Sequence, residues 1–206
     1  MKKDHLGKRI VMALAGTILA GASIGGMQKA NLGIDPFSSF IMAVVNLTHF
    51  TYAVCFFVII ALLLCVMILI NRRMVGIATV LNLLICGNIA TWIKGVLDRT
   101  MSVTLGMPVR LILLMISLIV MCFGASLYFT ADLGVSAYDA IALTLSERHE
   151  KPEFRIFRIM TDTICCMVGF VCNVTLGIGT VITALFMGPV IQWFNEHVSN
   201  IILYRK

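Results

Sequence analysis

The feature that most limits what this chain can become is a succession of apolar runs, each close to 20 residues, separated by short clusters of charge. A helix needs about 20 apolar residues to cross the roughly 30 Å hydrocarbon core of a bilayer. Six runs have that character, at about 10–29, 50–70, 74–93, 111–131, 154–175 and 177–194. Of the 206 residues, 60% are hydrophobic and only 13% are charged. A globular domain carries about 25% charged residues, so half that load leaves too little polar surface to keep the chain in water. The composition therefore demands a lipid bilayer as partner, and the fold class is all-α, a polytopic membrane helix bundle. Disorder, a coiled coil, a disulfide-rich secreted module and a nucleic-acid binder are excluded. The sixteen Lys and Arg form no basic face but sit at the ends of apolar runs, so the net charge of +6 is a topology signal. Residues 1–206 read as a single membrane domain with no room for a separate catalytic one.

Two further apolar pieces, 34–48 and 135–147, are too short to span. Each follows a Gly turn and ends at a polar cluster, which predicts half-helices, tolerated at membrane depth when protein covers them. The first run follows Lys2, Lys3, Lys8 and Arg9 as a signal peptide would. Its length exceeds the roughly 7–15-residue core of a signal and no cleavage site is evident, so it reads as a retained span. All seven cysteines lie in or at the ends of apolar stretches, with no C-x-x-C pair, and the four His sit at span ends or in loops. These predict buried thiols acting as small hydrophobes, no metal site and no cofactor.

Sliding the chain against itself shows internal order. At an offset of 101, Ala30-Asn31-Leu32-Gly33-Ile34 falls on Ala131-Asp132-Leu133-Gly134-Val135, and Gly76-Ile77-Ala78-Thr79-Val80 on Gly177-Ile178-Gly179-Thr180-Val181. Gly87 meets Gly188, Trp92 meets Trp193 and Arg9 meets Arg110. Only 14 of 86 aligned positions are identical, so the inference rests on their clustering at one offset. Residues 9–94 and 110–195 read as two copies of one unit, with 95–109 as linker. With three spans and one half-helix per copy, the second copy enters from the opposite side and the repeats are inverted. Lys and Arg then divide twelve inside to four outside. Were the short pieces full spans, the repeats would be parallel and the division thirteen to three. Charge does not choose between the two; segment length favours six spans, and both put the N- and C-termini in the cytoplasm.

The chemistry concentrates at the half-helix starts. Asp35-Pro36 after Gly33 is an N-cap followed by Pro at the first helical position, and Ser136-x-x-Asp139 after Gly134 resembles a capping box. Discontinuous helices in inverted-repeat transporters aim such termini at a substrate near the midplane. Asp35, Ser38, Ser136 and Asp139 are thus candidate substrate-binding residues, and Gly33, Pro36 and Gly134 the turns that hold them. The alternative is that they only cap helices. Asn82 and its mate Thr183 are interhelical hydrogen-bonding residues or further substrate contacts. Asp162, inside the fifth run, lies four residues after Arg158, so the two share a helical face as an ion pair or a coupling site. Gly16, Ala20, Gly21, Gly25 and Gly26 give the first helix a small-residue face, for packing inside the chain or against a second copy or membrane partner.

Lys29-Ala30-Asn31-Leu32-Gly33-Ile34-Asp35-Pro36-Phe37-Ser38-Ser39, Leu133-Gly134-x-x-x-Asp139, Arg158-x-x-x-Asp162, Gly177-Ile178-Gly179-Thr180 and Gly188-Pro189 together resemble the YczE/YitT-like bacterial integral membrane proteins. The resemblance runs over nearly the whole chain and implies a multi-pass protein of the bacterial inner membrane, regarded as a transporter, with no substrate specified. The chain departs from that pattern at Ala137 and Tyr138, where a Pro and a basic residue are usual, and at Asp162, where Glu is usual. No nucleophile with a base, metal set or phosphate loop suggests an enzyme. The reading is a small-solute secondary transporter, proton- or sodium-coupled, whose small-molecule or ion substrate sits between the repeats. The alternative is an accessory or substrate-binding membrane subunit of a larger complex.

Overall fold

The computed structural model describes residues 6–72, 75–101, 105–148 and 154–204. Lys2, Lys3, His5, Arg73, His149, Lys151, Arg205 and Lys206, used above in the topology and metal readings, lie outside the described residues. Among those described, eight helices follow one another without a strand: α1 (Leu6–Ala30), α2 (Pro36–Thr48), α3 (Tyr52–Ile70), α4 (Ile77–Thr100), α5 (Met107–Ala131), α6 (Ala137–Arg148), α7 (Phe154–Val171) and α8 (Ile178–Leu203).

Five of them, α1, α3, α4, α5 and α8, are long and apolar enough to cross a membrane. The sequence predicts six. The remaining candidate, 154–175, forms α7 with 18 residues, but carries Arg155, Arg158 and Asp162 and so falls short in apolarity. The two predicted half-helices form as α2, with 13 residues, and α6, with 12.

Two boundaries differ from the sequence reading. Within the predicted linker at 95–109, residues 95–100 and 107–109 are helical: α4 continues to Thr100, with Lys94 and Asp98 paired one turn apart at 2.9 Å. Helix α5 begins at Met107, with Pro108 in its first turn where a missing N–H costs nothing. Helix α8 outruns 177–194 through a π-helical turn at Asn195–Ser199. Asn195 and Ser199 find partners there on α5: Asn195 accepts from Ser126 at 2.7 Å and Thr130 at 3.1 Å, and the Ser126 and Ser199 hydroxyls meet at 2.5 Å. A polar stretch with such partners need not end a helix.

Helices α1 and α5 are the centre, about half buried along their lengths, whereas α3, α4 and α8 are mostly outward. The two central helices run antiparallel. Near the start of α1, Arg9 donates to Ala131 O at 2.9 Å; near the start of α5, Arg110 donates to Ala30 O at 2.6 Å. Each guanidinium thus meets the carbonyl end of the opposite helix, where cations are stabilised. A Cβ on Gly16 would lie 2.5 Å from Gly124 O, and one on Gly21 2.7 Å from Cys86 O. The small-residue face is thus used inside the chain, against α5 and α4. Of the two alternatives, packing inside the chain is the one these contacts show, because backbone-to-backbone approach leaves that face covered.

Other contacts also recur 101 residues on with partners exchanged. Ala78 N–H donates to Leu133 O at 3.1 Å, and Gly179 N–H to Leu32 O at 2.9 Å. Lys29, Lys94 and Asp98 form one cluster at 2.9 Å, while Thr130, Asn195 and Ser199, each 101 further on, stand in the hydrogen-bonded group described above. Phe57, Leu62, Leu69, Phe170, Leu185 and Phe186 are exposed on the outer helices, as contact with lipid requires.

Candidate functional site

The site is set by two breaks in the helical backbone. Helix α1 ends at Asn31 with φ 50, and α5 at Asp132 with φ 51; two residues later Gly33 has φ 107 and Gly134 φ 105. That region is open to glycine and strained for other residues. The space allows nothing larger either, since a Cβ at Gly134 would lie 2.5 Å from Gly76 N and one at Gly33 2.8 Å from Gly177 N. The chain thus turns tightly against the start of α4 or α8 before α2 and α6 begin.

At the start of α2, Asp35 is extended and its Oδ2 accepts the Ser38 N–H at 3.0 Å, with Pro36 in the first turn. This is the predicted N-cap. Tyr52, opening α3, donates its hydroxyl to Ser38 Oγ at 3.1 Å, and Ser39 Oγ donates to Asp35 O at 3.1 Å. Asp35 is only 8% exposed, and its Oδ1 has no hydrogen-bond partner among the described residues. At the start of α6, Ser136 O accepts Ala140 N–H at 2.9 Å, as Asp35 O accepts Ser39 N–H at 2.9 Å.

The two starts meet through their aromatic residues. Phe37 and Tyr138, which are mates at the 101-residue offset, stack with centroids 4.4 Å apart and planes 21° from parallel. Phe56 meets the edge of Phe37 at 6.3 Å. Tyr138 donates its hydroxyl to Asp162 Oδ1 at 2.5 Å, with the Cys165 thiol 3.8 Å from the phenol oxygen. The Arg158 guanidinium lies 4.7 Å over the Tyr138 ring, pairs with Asp139, and reaches Asp162 at 3.4 Å. One cation therefore serves two carboxylates and an aromatic face, all largely buried. Asp35 lies within electrostatic reach of Asp162 and Arg158.

Asp139, Arg158 and Asp162 thus form one cluster around Tyr138, in which the predicted Arg158–Asp162 pair forms, and the Asp35–Ser38 cap adjoins it through the Phe37–Tyr138 stack. The open polar space expected between the starts is occupied by the Phe37–Tyr138 stack. Asp139 is engaged by Arg158. The Thr183 hydroxyl donates to Gly179 O at 3.0 Å and Thr180 O at 2.9 Å, so it serves its own helix rather than a neighbour, because a Thr in a helix reaches the carbonyls one turn back. Asn82 opens a π-helical turn, Asn82–Cys86, within α4. Phe37, Tyr52 and Tyr138 were missed. The alignment of Phe37 with Tyr138 in the repeat was a usable signal for two of them; Tyr52 carries none.

The family model described as a family of unknown function, DUF6198, matches residues 7–196. The chain belongs to the DUF6198 family. A Haemophilus influenzae relative of this DUF6198 protein, described as an uncharacterized protein, is 25% identical over 201 residues, covering 97% of this chain and 89% of its own. No solved structure matches.

Proposed function

We propose that this DUF6198 protein is a small-solute secondary carrier of the bacterial inner membrane, akin to the YczE/YitT-like proteins, with its site between two inverted repeats. The observation that carries the reading is the convergence of two half-helix starts, Asp35–Ser38 and Ser136–Asp139, on a polar cluster within an apolar bundle. Polar and ionisable groups at membrane depth are costly, and their usual return is a substrate or ion pathway. The antiparallel contact of α1 with α5, and the contacts that recur with partners exchanged, support inversion. In that arrangement α7 is the sixth span, with Arg158 and Asp162 paired within it and Arg158 also held to Asp139 of α6. The Phe37–Tyr138 stack is then the closure over the site, and substrate enters when α2 and α6 part. The reading of an accessory subunit docked through the first helix loses its docking face to α4 and α5.

The test is transport by the purified protein alone. Liposomes holding a pH-sensitive dye are challenged with a panel of small amines, amino acids and sugars, under proton and sodium gradients of both polarities. Solute-dependent flux that is lost in Asp139→Asn supports the carrier. Absence of flux with every solute and gradient removes it.

A further inference from the structure

We propose that Asp35 is the proton-binding group of this site, its Oδ1 holding a proton while α2 and α6 are closed on one another and releasing it when they part. The inference rests on the carrier reading for its role in coupling, though not for the proton binding itself. Three observations carry it. Asp35 is 8% exposed, with Oδ1 unpartnered among the described residues. Its other oxygen is already used by the Ser38 backbone N–H. The Ser38 hydroxyl, which accepts from Tyr52 and can donate to the same carboxylate, favours the charged form, and burial has to outweigh it. The cation within reach, Arg158, is committed to Asp139 and Asp162.

The titratable and charged groups within electrostatic reach of Asp35 are Tyr52 from α3, Cys86 from α4, and Arg158, Asp162, Cys165 and Cys166 from α7. From α6, Tyr138 stacks on the neighbouring Phe37, and Asp139 is held by Arg158. Three carboxylates thus lie around one guanidinium, which pairs with two of them. A bare carboxylate with an unsatisfied oxygen in an apolar closed site is far costlier than the neutral acid. A divalent metal would need several oxygen ligands, and the described residues hold no group of three metal-ligating side chains. An organic cation would need the aromatic stack to open. A proton needs neither: it adds to Oδ1 as an O–H bond, cancels one negative charge, and returns to water when the site hydrates. Ser136 stands where the repeat would place a second such acid, so the pair of half-helices holds one proton at this position.

The probe is the proton alone. The full-length protein in lipid nanodiscs is titrated in H2O and D2O while the infrared carbonyl stretch of protonated carboxyl groups is followed. A band should persist well above the pH near 3.9 at which an exposed Asp ionises. It should vanish in Asp35→Asn, in which Asn keeps the N-cap, and remain in Asp139→Asn. Should Asp35→Asn fail to fold, Ser38→Ala replaces it: losing a donor to the carboxylate must move the band's midpoint to higher pH, and an unmoved midpoint overturns the assignment. A wild-type protein without the band, or a band that survives Asp35→Asn, also overturns it. Solute flux without the band would leave the carrier and remove the proton site; the band without any flux would do the reverse.

Discussion

Replacing Arg158 by Gln removes the cation shared by Asp139 and Asp162 and leaves two carboxylates facing each other across α6 and α7. At an effective dielectric constant near 20, unit charges 3.4 Å apart attract by about 5 kcal/mol before desolvation is subtracted. Removing one partner of a buried pair costs about 3–5 kcal/mol. The side chains are 28%, 14% and 16% exposed, so some water can reach the carboxylates, and Tyr138 still donates to Asp162. The lower end, about 3 kcal/mol, is therefore expected. For a chain of this length that is a fall in Tm of roughly 6–12 °C, measured by thermal unfolding of the purified protein in one detergent. Adding Asp162→Asn should recover about half of the loss, because one of the two stranded charges is gone. Arg158→Lys should fall between wild type and Gln, since it keeps the charge but not the fork that reaches two acids. A Tm for Arg158→Gln within a degree of wild type, or a double variant no better than the single one, would refute the shared-cation account.

Gly134→Ala should cost at least about 2 kcal/mol, from the left-handed backbone and the contact with Gly76, whereas Gly7→Ala, where a Cβ meets open space, should be neutral or stabilising; unfolding of both variants side by side checks this. Tyr138→Phe should keep the stack on Phe37 but lose the bond to Asp162, about 1–2 kcal/mol, and a double-mutant cycle of Phe37→Ala with Tyr138→Ala should return a coupling of about 0.5–1.5 kcal/mol. On a background without native cysteines, a single Cys at Asn71 should react with an impermeant maleimide from the cytoplasm only and one at Asn173 from outside only. Labelling of both from one side would remove the inverted arrangement.

Local rules settled a good deal in advance. Apolar run length set the membrane helices, because no other structure satisfies the backbone in lipid. Gly33, Pro36 and Gly134 marked the breaks, because a positive φ and a first-turn Pro are demands of the residue's own backbone. The i,i+4 spacing of Arg158 and Asp162 likewise placed both on one face. The second acid on Arg158, Asp139, is 19 residues away, and only the docking of α7 on α6 brings it there. The same holds for Phe37 on Tyr138 and for the two arginines that close α1 against α5. The persistence of α8 past Asn195 depends on hydroxyls of α5, and the inward use of the α1 glycines on how closely α4 and α5 approach. Lipid offers no hydrophobic force to choose which helix faces meet, so small-residue packing and interhelical hydrogen bonds decide it. The sequence by itself thus determined which segments form apolar helices and where they break; tertiary packing determined which of their polar side chains come together.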